Sequence, residues 1–537
     1  VKRIVICLLI GAALALAPRP RAASDPPKLA VIIVIDQMRA DYVDRFRADW
    51  TGGLHRMVTS GAWFQQAAYP YLTTVTCAGH ATISTGAFPH THGVFQNAWW
   101  DRNAGKQMTC TEDPKSTDLG YGVPVKVGDS AYRLLVPTFT DTMREQRHAH
   151  VVSLSLKDRS AIMLGGHGGD AVTWLSNSLD GWVTSTAFTS GLVPQVKAYA
   201  DAHPIAADFG QTWDRMLPAS KYTGADDAVG EAPPAGWTST FPHALKGTTG
   251  KVDETYYTQW ERSPFGDAYL GRFAAALVDA FQLGRHDTTD VLTVSFSSPD
   301  LVGHAFGPRS HEIQDMYAHL DGTLGALFDR LDAVVGKDKW TVGLTADHGV
   351  TPIPEQLVAE GKDAGRVNMR AMTDAIEKAL AGPLGAGRHV AVIDGNDVYF
   401  MPGVYDRIRQ SKPLLDAVTA AIAAQPGVQR VFPGEQLRGA PTSHDMVLRA
   451  AVLDYVPGRS GDIILALKPG WMSGTNGTTH GSANPDDQHV PILFLGHGIK
   501  PGIYQQAASP ADVAPTLASL SGVALVKAEG HALSCIR

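Results

Sequence analysis

The chain has 537 residues, past the roughly 250–300 at which a single core stops growing, so one large domain with inserted units is expected. A hydrophobic share of 44% and a charged share of 18% are ordinary for a soluble globular protein. A net charge of −7 leaves no basic face for nucleic acid, and no low-complexity tract or internal repeat is present. Along the chain, Lys2 and Arg3 precede an apolar run, Ile4 to Ala17, that is too short to span a bilayer. Small residues follow, which reads as a secretory leader over 1–23 with cleavage near Ala23 or Ser24. Val1 fits an alternative start codon and hence a bacterial source. No later run reaches the length of a membrane span, so a soluble periplasmic or secreted mature chain is expected.

Leu29-Ala30-Val31-Ile32-Ile33-Val34-Ile35 is a continuous apolar run ending at Asp36, as a fully buried strand would be. From Tyr71 to Gly86 the pattern predicts a helix that begins at Thr76 and is closed by Gly86. Thr76 would then cap it, its hydroxyl near the positive end of the helix dipole, where an alkoxide or a bound phosphate is stabilised. A plain capping threonine is the alternative. Residues 170–265, rich in Trp, Pro, Gly and Thr with weak periodicity, read as an insertion capping the site. Buried strands recur at 291–296, 341–345 and 490–495. Between Glu312 and Leu331, Ile313, Met316, Tyr317, Leu320, Leu324, Leu327 and Phe328 recur at helical spacing. Residues 366–440 read as a small α/β unit: a strand at 389–393, a helix near 414–424 and a strand near 428–432. Strands alternating with helices predict an α/β fold, with a central mostly parallel sheet covered on both faces. Its core would comprise 28–169, 266–365 and 441–537.

Ligands of such sheets bind beyond the carboxyl ends of the strands, and Asp36, Asp300 and Asp347-His348 all fall there. Asp300 and His304, four apart, can turn to one metal, and a capped helix start is the competing explanation. A further His is needed, and both His480 and His489 qualify. His489 meets a buried strand and is the better held of the two. Two Asp/His pairs suggest two metals, and two metals suggest phosphoryl or related transfer. A metal beside the Thr76 hydroxyl would make it nucleophilic near neutral pH. Three cysteines follow the leader, Cys77, Cys110 and Cys535, so one disulfide at most forms within the chain and its pairing is open.

Together these residues resemble the alkaline phosphatase superfamily, in its nucleotide pyrophosphatase/phosphodiesterase-like branch, and within it the bacterial threonine-nucleophile alkaline phosphatases. The likeness spans the mature chain apart from 170–265. It implies an alkaline-phosphatase-like fold, with two Zn2+ ions held in ligand order along the chain. Asp300, His304 and His489 would hold one zinc, and Asp36, Asp347 and His348 the other, bridged by the nucleophile Thr76. His480 matches a family His-Gly loop but not a ligand. Asn97, Lys157 and Arg159 match residues that contact the phosphoryl group. In an extended segment Lys157 and Arg159 share a face and suit the dianion of a monoester. The resemblance thus implies hydrolysis of small phosphate monoesters through a phosphothreonine. The alternatives are a phosphodiesterase or nucleotide pyrophosphatase with the same metals, and a phosphate-capturing module without turnover. Cys77-Ala78-Gly79-His80-Ala81 lacks the Pro and Arg that a sulfatase would need there, and Ala78-Gly79 stands where diesterases often have Pro-Asn. An additional structural calcium or magnesium ion has no residues assigned, and a monomer is expected.

Overall fold

The computed structural model describes residues 25–125, 127–439 and 442–537, so the expected leader, 1–23, lies outside the described residues. Leu29–Ile35 is the centre of a ten-stranded sheet, with all seven residues buried. It pairs in parallel with Asp290–Phe296 on one side and Trp340–Thr345 on the other. Val151–Ser155 and then Ala171–Leu175 continue the parallel run. Beyond Trp340–Thr345 the order is Ile492–Gly496, Ala62–Ala67 and Gly502–Ala508. Here the expectation needs refinement, because Ile492–Gly496 runs antiparallel to both its neighbours. A run buried on both faces carries no signal of direction.

Alternate residues of the central strand feed two cores, as the period of two demands. Leu29, Val31, Ile33 and Ile35 pack with Leu320, Leu324 and Phe328 of the helix His311–Leu331 and with Leu270 and Phe273 of the helix Pro264–Ala280. Ala30, Ile32 and Val34 pack with Ile83 of the helix Thr76–Thr85 and with Val513 and Leu517 of the helix Val513–Leu520. Each such aliphatic or aromatic side chain contributes about 1.5–3 kcal/mol by leaving water. Among the described residues no helix is long and apolar enough to cross a membrane.

Sheet pairing crosses both expected insertion boundaries. The strands Ala171–Leu175 and Trp182–Ser185, which fall within 170–265, belong to the main sheet. Their Trp174 and Trp182 are core residues. Residues 366–440 do not close their own sheet either. Val390–Asp394, Asp397–Phe400 and Val428–Pro433 form a four-stranded antiparallel sheet only with Ile463–Leu467, from the segment expected in the catalytic core. Ile463, Leu465 and Leu467 face one apolar cluster and Ile464 and Ala466 another, a two-faced burial that either sheet could have offered. Cys77 and Cys110 form the disulfide, and Cys535 is a buried free cysteine.

Candidate active site

Four parallel strand ends converge. Asp36 follows Leu29–Ile35, Lys157 lies two residues past Val151–Ser155, Asp300 stands on the helix Ser298–Phe306 after Asp290–Phe296, and Asp347-His348 follow Trp340–Thr345. The helix Ser298–Phe306 places Asp300 in its first turn and His304 one turn later, as the spacing of four predicted. Gln37 links these ends. At a positive φ of 67°, its backbone N–H donates to Asp347 Oδ1 at 3.1 Å and its Nε2 to Asp300 Oδ1 at 2.6 Å. A Cβ on Gly303 would collide with Gln37 Oε1, so a larger residue there would displace the Gln37 amide from Asp300.

Three imidazoles are oriented alike. Nδ1 of His304, His348 and His480 faces a backbone carbonyl, of Thr478 at 2.7 Å, Gly349 at 3.0 Å and Thr74 at 2.8 Å. A proton on Nδ1 makes that bond and leaves each Nε2 lone pair for the site. His348 Nε2 lies 3.4 Å from Asp36 Oδ1 and 3.2 Å from Asp347 Oδ2. Asp300 Oδ1 lies 3.2 Å from His304 Nε2 and 3.6 Å from His480 Nε2. The His348 and His480 rings stack with centroids 3.5 Å apart.

The structure brings a different histidine to this group from the one expected: His480 stands with Asp300 and His304. His489 is exposed and engaged only through its backbone, its N–H donating to Pro485 and its carbonyl accepting from Ala40. A loop meeting a strand holds the His489 backbone in place but aims its side chain outward. The Gly-rich loop instead bends His480 inward onto Thr74.

Thr76 is also placed differently. It is the first residue of its helix, with Val75 at the cap position and no side-chain cap. Its hydroxyl is therefore not used in capping; it is buried, 3.5 Å from His348 Nε2. The open first-turn N–H of Cys77 is satisfied by Asn97 Oδ1 at 2.8 Å, which leaves the Asn97 NH2 donors for a ligand. Lys157 is extended at the cap of the helix Asp158–Gly165, so Lys157 and Arg159 straddle a strand–helix junction rather than sharing an extended face. Lys157 Nζ lies 2.5 Å from both Asp36 Oδ2 and Asp300 Oδ2. Arg159 reaches only Asp158, at 3.6 Å, and its buried Nε has no partner.

Burial and the neighbouring Asp347 push Asp36 well above the usual carboxylate range. Burial works against charge on His348, yet Asp347 and Asp36 push it up to about 9. Buried Asp36 Oδ1 and Asp347 Oδ2 lack any hydrogen-bond partner. Two overlapping donor groups, Asp300/His304/His480 and Asp36/Asp300/His348, each lie within 4.8 Å. A dense set of acids and imidazole nitrogens with orphaned oxygens fits cations, and the mixed nitrogen and oxygen donors suit a zinc-like ion. Sequence reasoning also missed Gln37 and His80. Fully buried His80 bridges Thr76 O at 2.8 Å and Ser295 Oγ at 2.8 Å, with Asp347 Oδ2 3.3 Å from its Nδ1. Only its place one turn after Thr76 hinted at that.

Residues 30–489 match the family described as type I phosphodiesterase / nucleotide pyrophosphatase. The chain is 32% identical over 504 residues to alkaline phosphatase PhoV of Synechococcus elongatus, covering 92% of this chain and 90% of that one. It is 33% identical over 503 residues to alkaline phosphatase PafA of Elizabethkingia meningoseptica, covering 92% and 91%. The crystal structure of PafA superposes with a TM-score of 0.87 at 31% identity, covering 96% of this chain and 99% of that one. A PafA variant substituted at a threonine, an asparagine, a lysine and an arginine superposes with a TM-score of 0.88, at the same identity and coverage.

Proposed function

The chain belongs to the type I phosphodiesterase / nucleotide pyrophosphatase family and is a phosphoric monoester hydrolase of the alkaline phosphatase kind, and from that premise we propose a two-zinc enzyme that works through a phosphothreonine on Thr76. The observation that carries this is the convergence of three Nε2 atoms and three carboxylates, with the buried Thr76 hydroxyl 3.5 Å from the His348 nitrogen. Asp300, His304 and His480 would hold one zinc, and Asp36, Asp347, His348 and Thr76 the other. When bound, the two ions supply Lewis-acid stabilisation of the attacking and leaving oxygens.

The chain's own groups do the rest. Thr76 Oγ1 attacks phosphorus in line and the ester oxygen leaves with its organic group. Water then hydrolyses the phosphothreonine and restores the hydroxyl. Asn97 donates from its amide to a phosphoryl oxygen, while Lys157 and Arg159 offset the charge of the dianion. The four residue types substituted in the PafA variant support this, because its threonine and asparagine are 21 residues apart, as Thr76 and Asn97 are, and its lysine and arginine two apart, as Lys157 and Arg159 are. Two cations favour a monoester, which carries about two negative charges near neutral pH. We place the enzyme in the periplasm or outside the cell, which the Cys77–Cys110 disulfide supports.

Thr76→Ala tests the nucleophile. Turnover of an aryl phosphate should fall by at least about 10³-fold, with zinc content unchanged by metal analysis. Near-normal turnover in that variant would sink the assignment.

A further inference from the structure

Asn97 is held by both halves of the disulfide. Its side-chain oxygen accepts the N–H of Cys77 at 2.8 Å, and its backbone carbonyl accepts the N–H of Cys110 at 2.9 Å. Cys77 and Cys110 are themselves bonded, with Cα atoms 6.6 Å apart, and both are fully buried. The three residues thus close a ring of one covalent link and two hydrogen bonds. Its position matters. Cys77 directly follows Thr76 in the first turn of the helix Thr76–Thr85. Asn97 and Cys110 sit at the mouth of the hairpin formed by Ala98–Asp101 and Lys106–Thr109.

We propose that the Cys77–Cys110 disulfide is a positioning element of the active site, which sets the register between the Thr76 hydroxyl and the Asn97 amide. This rests on Asn97 donating to a phosphoryl oxygen. Without the link, the hairpin and the helix meet through non-covalent contacts alone. Asn97 then has two jobs, capping the helix and binding phosphate, with no covalent constraint on the distance between them. Donors that stabilise developing charge act through fixed placement, so a sub-ångström drift reduces their effect before it affects folding. The chain separation of 33 residues between the cysteines also explains why sequence spacing did not point to the function of the pair.

The test is a double-mutant cycle on the metal-loaded full chain, with kcat/KM for an aryl phosphate as readout. Asn97→Ala alone should lower kcat/KM by about 10²-fold, a typical loss for one such donor. Cys77→Ala with Cys110→Ala should lower it about tenfold in the Asn97 background, with zinc content intact. In the Asn97→Ala background the same cysteine change should cost less than about twofold, because the disulfide then has no donor to place. A merely structural disulfide would cost the same factor in both backgrounds, and that result overturns the proposal. So does an absence of loss with Asn97 present. A silent Asn97→Ala would instead reject the role of Asn97 itself. Should the double alanine chain not fold, Cys77→Ala with Cys110→Val, which refills part of the lost volume, carries the same cycle.

Discussion

Among individual side chains, which imidazole reaches the cluster of acids turned on how each is tethered. His304, His348 and His480 each anchor Nδ1 on a carbonyl, and His489 has no such anchor. His480→Ala is therefore expected to lose bound zinc and at least about 10²-fold in kcat, while His489→Ala stays within about twofold of the parent. Metal analysis of the two purified variants decides it, and zinc loss from the His489 variant alone would restore the sequence expectation. Lys157 and Arg159 carry a second prediction. Lys157 contacts Asp36 and Asp300, one carboxylate from each expected set, and burial fails to lower its pKa because those two acids raise it. Replacing Lys157 and Arg159 by alanine should cost a monoester at least about tenfold more kcat/KM than a matched diester. Equal losses on both substrates would show that other residues select the ester.

For the secondary-structure elements, the helix Thr76–Thr85 is seated by a glycine. A Cβ on Gly79 would collide with the backbone carbonyl of Asp347, so the helix and the Asp347-His348 turn approach at glycine distance. Gly79→Ala should destabilise the fold by about 1–3 kcal/mol and reduce turnover by moving Thr76 away from His348. Exposed Gly322, on the helix His311–Leu331, has open space around its Cβ position. Gly322→Ala there should instead stabilise by up to about 1 kcal/mol. Denaturation midpoints of the pair check this, and matching midpoints would remove the close-approach explanation. Element existence was legible because burial and period are local. The run 29–35, the helical spacing from Ile313 to Phe328 and the closing Gly86 all reappear in the structure. That Thr76 does not cap its own helix was not legible, because the group that satisfies Cys77 comes from Asn97, 20 residues on.

Across the whole molecule, the small antiparallel sheet docks beside the site through buried polar links. Asp397 accepts from Gly461 N–H at 2.6 Å and from Gln96 Nε2 at 3.4 Å, and Gln96 adjoins Asn97. Burial pushes the Asp397 carboxyl up to about 7. Between its ordinary value near 4 and about 7, the folded chain keeps this proton and the unfolded chain releases it. Stability therefore falls as pH rises through that window, by at most about 4 kcal/mol from this group. Asp397→Asn should flatten the dependence of the denaturation midpoint on pH between 4 and 7, and an unchanged slope would show that Asp397 is ionised in the fold. The sequence by itself determined the α/β class, the buried strands, and the acids and imidazoles at their carboxyl ends, because each depends on residues near in the chain. Tertiary structure alone decided that His480 and not His489 joins Asp300, that Cys110 and not Cys535 pairs with Cys77, and that Ile463–Leu467 completes the smaller sheet. Those are choices among distant segments with equal local credentials, and only the mutual packing of the whole chain distinguishes them.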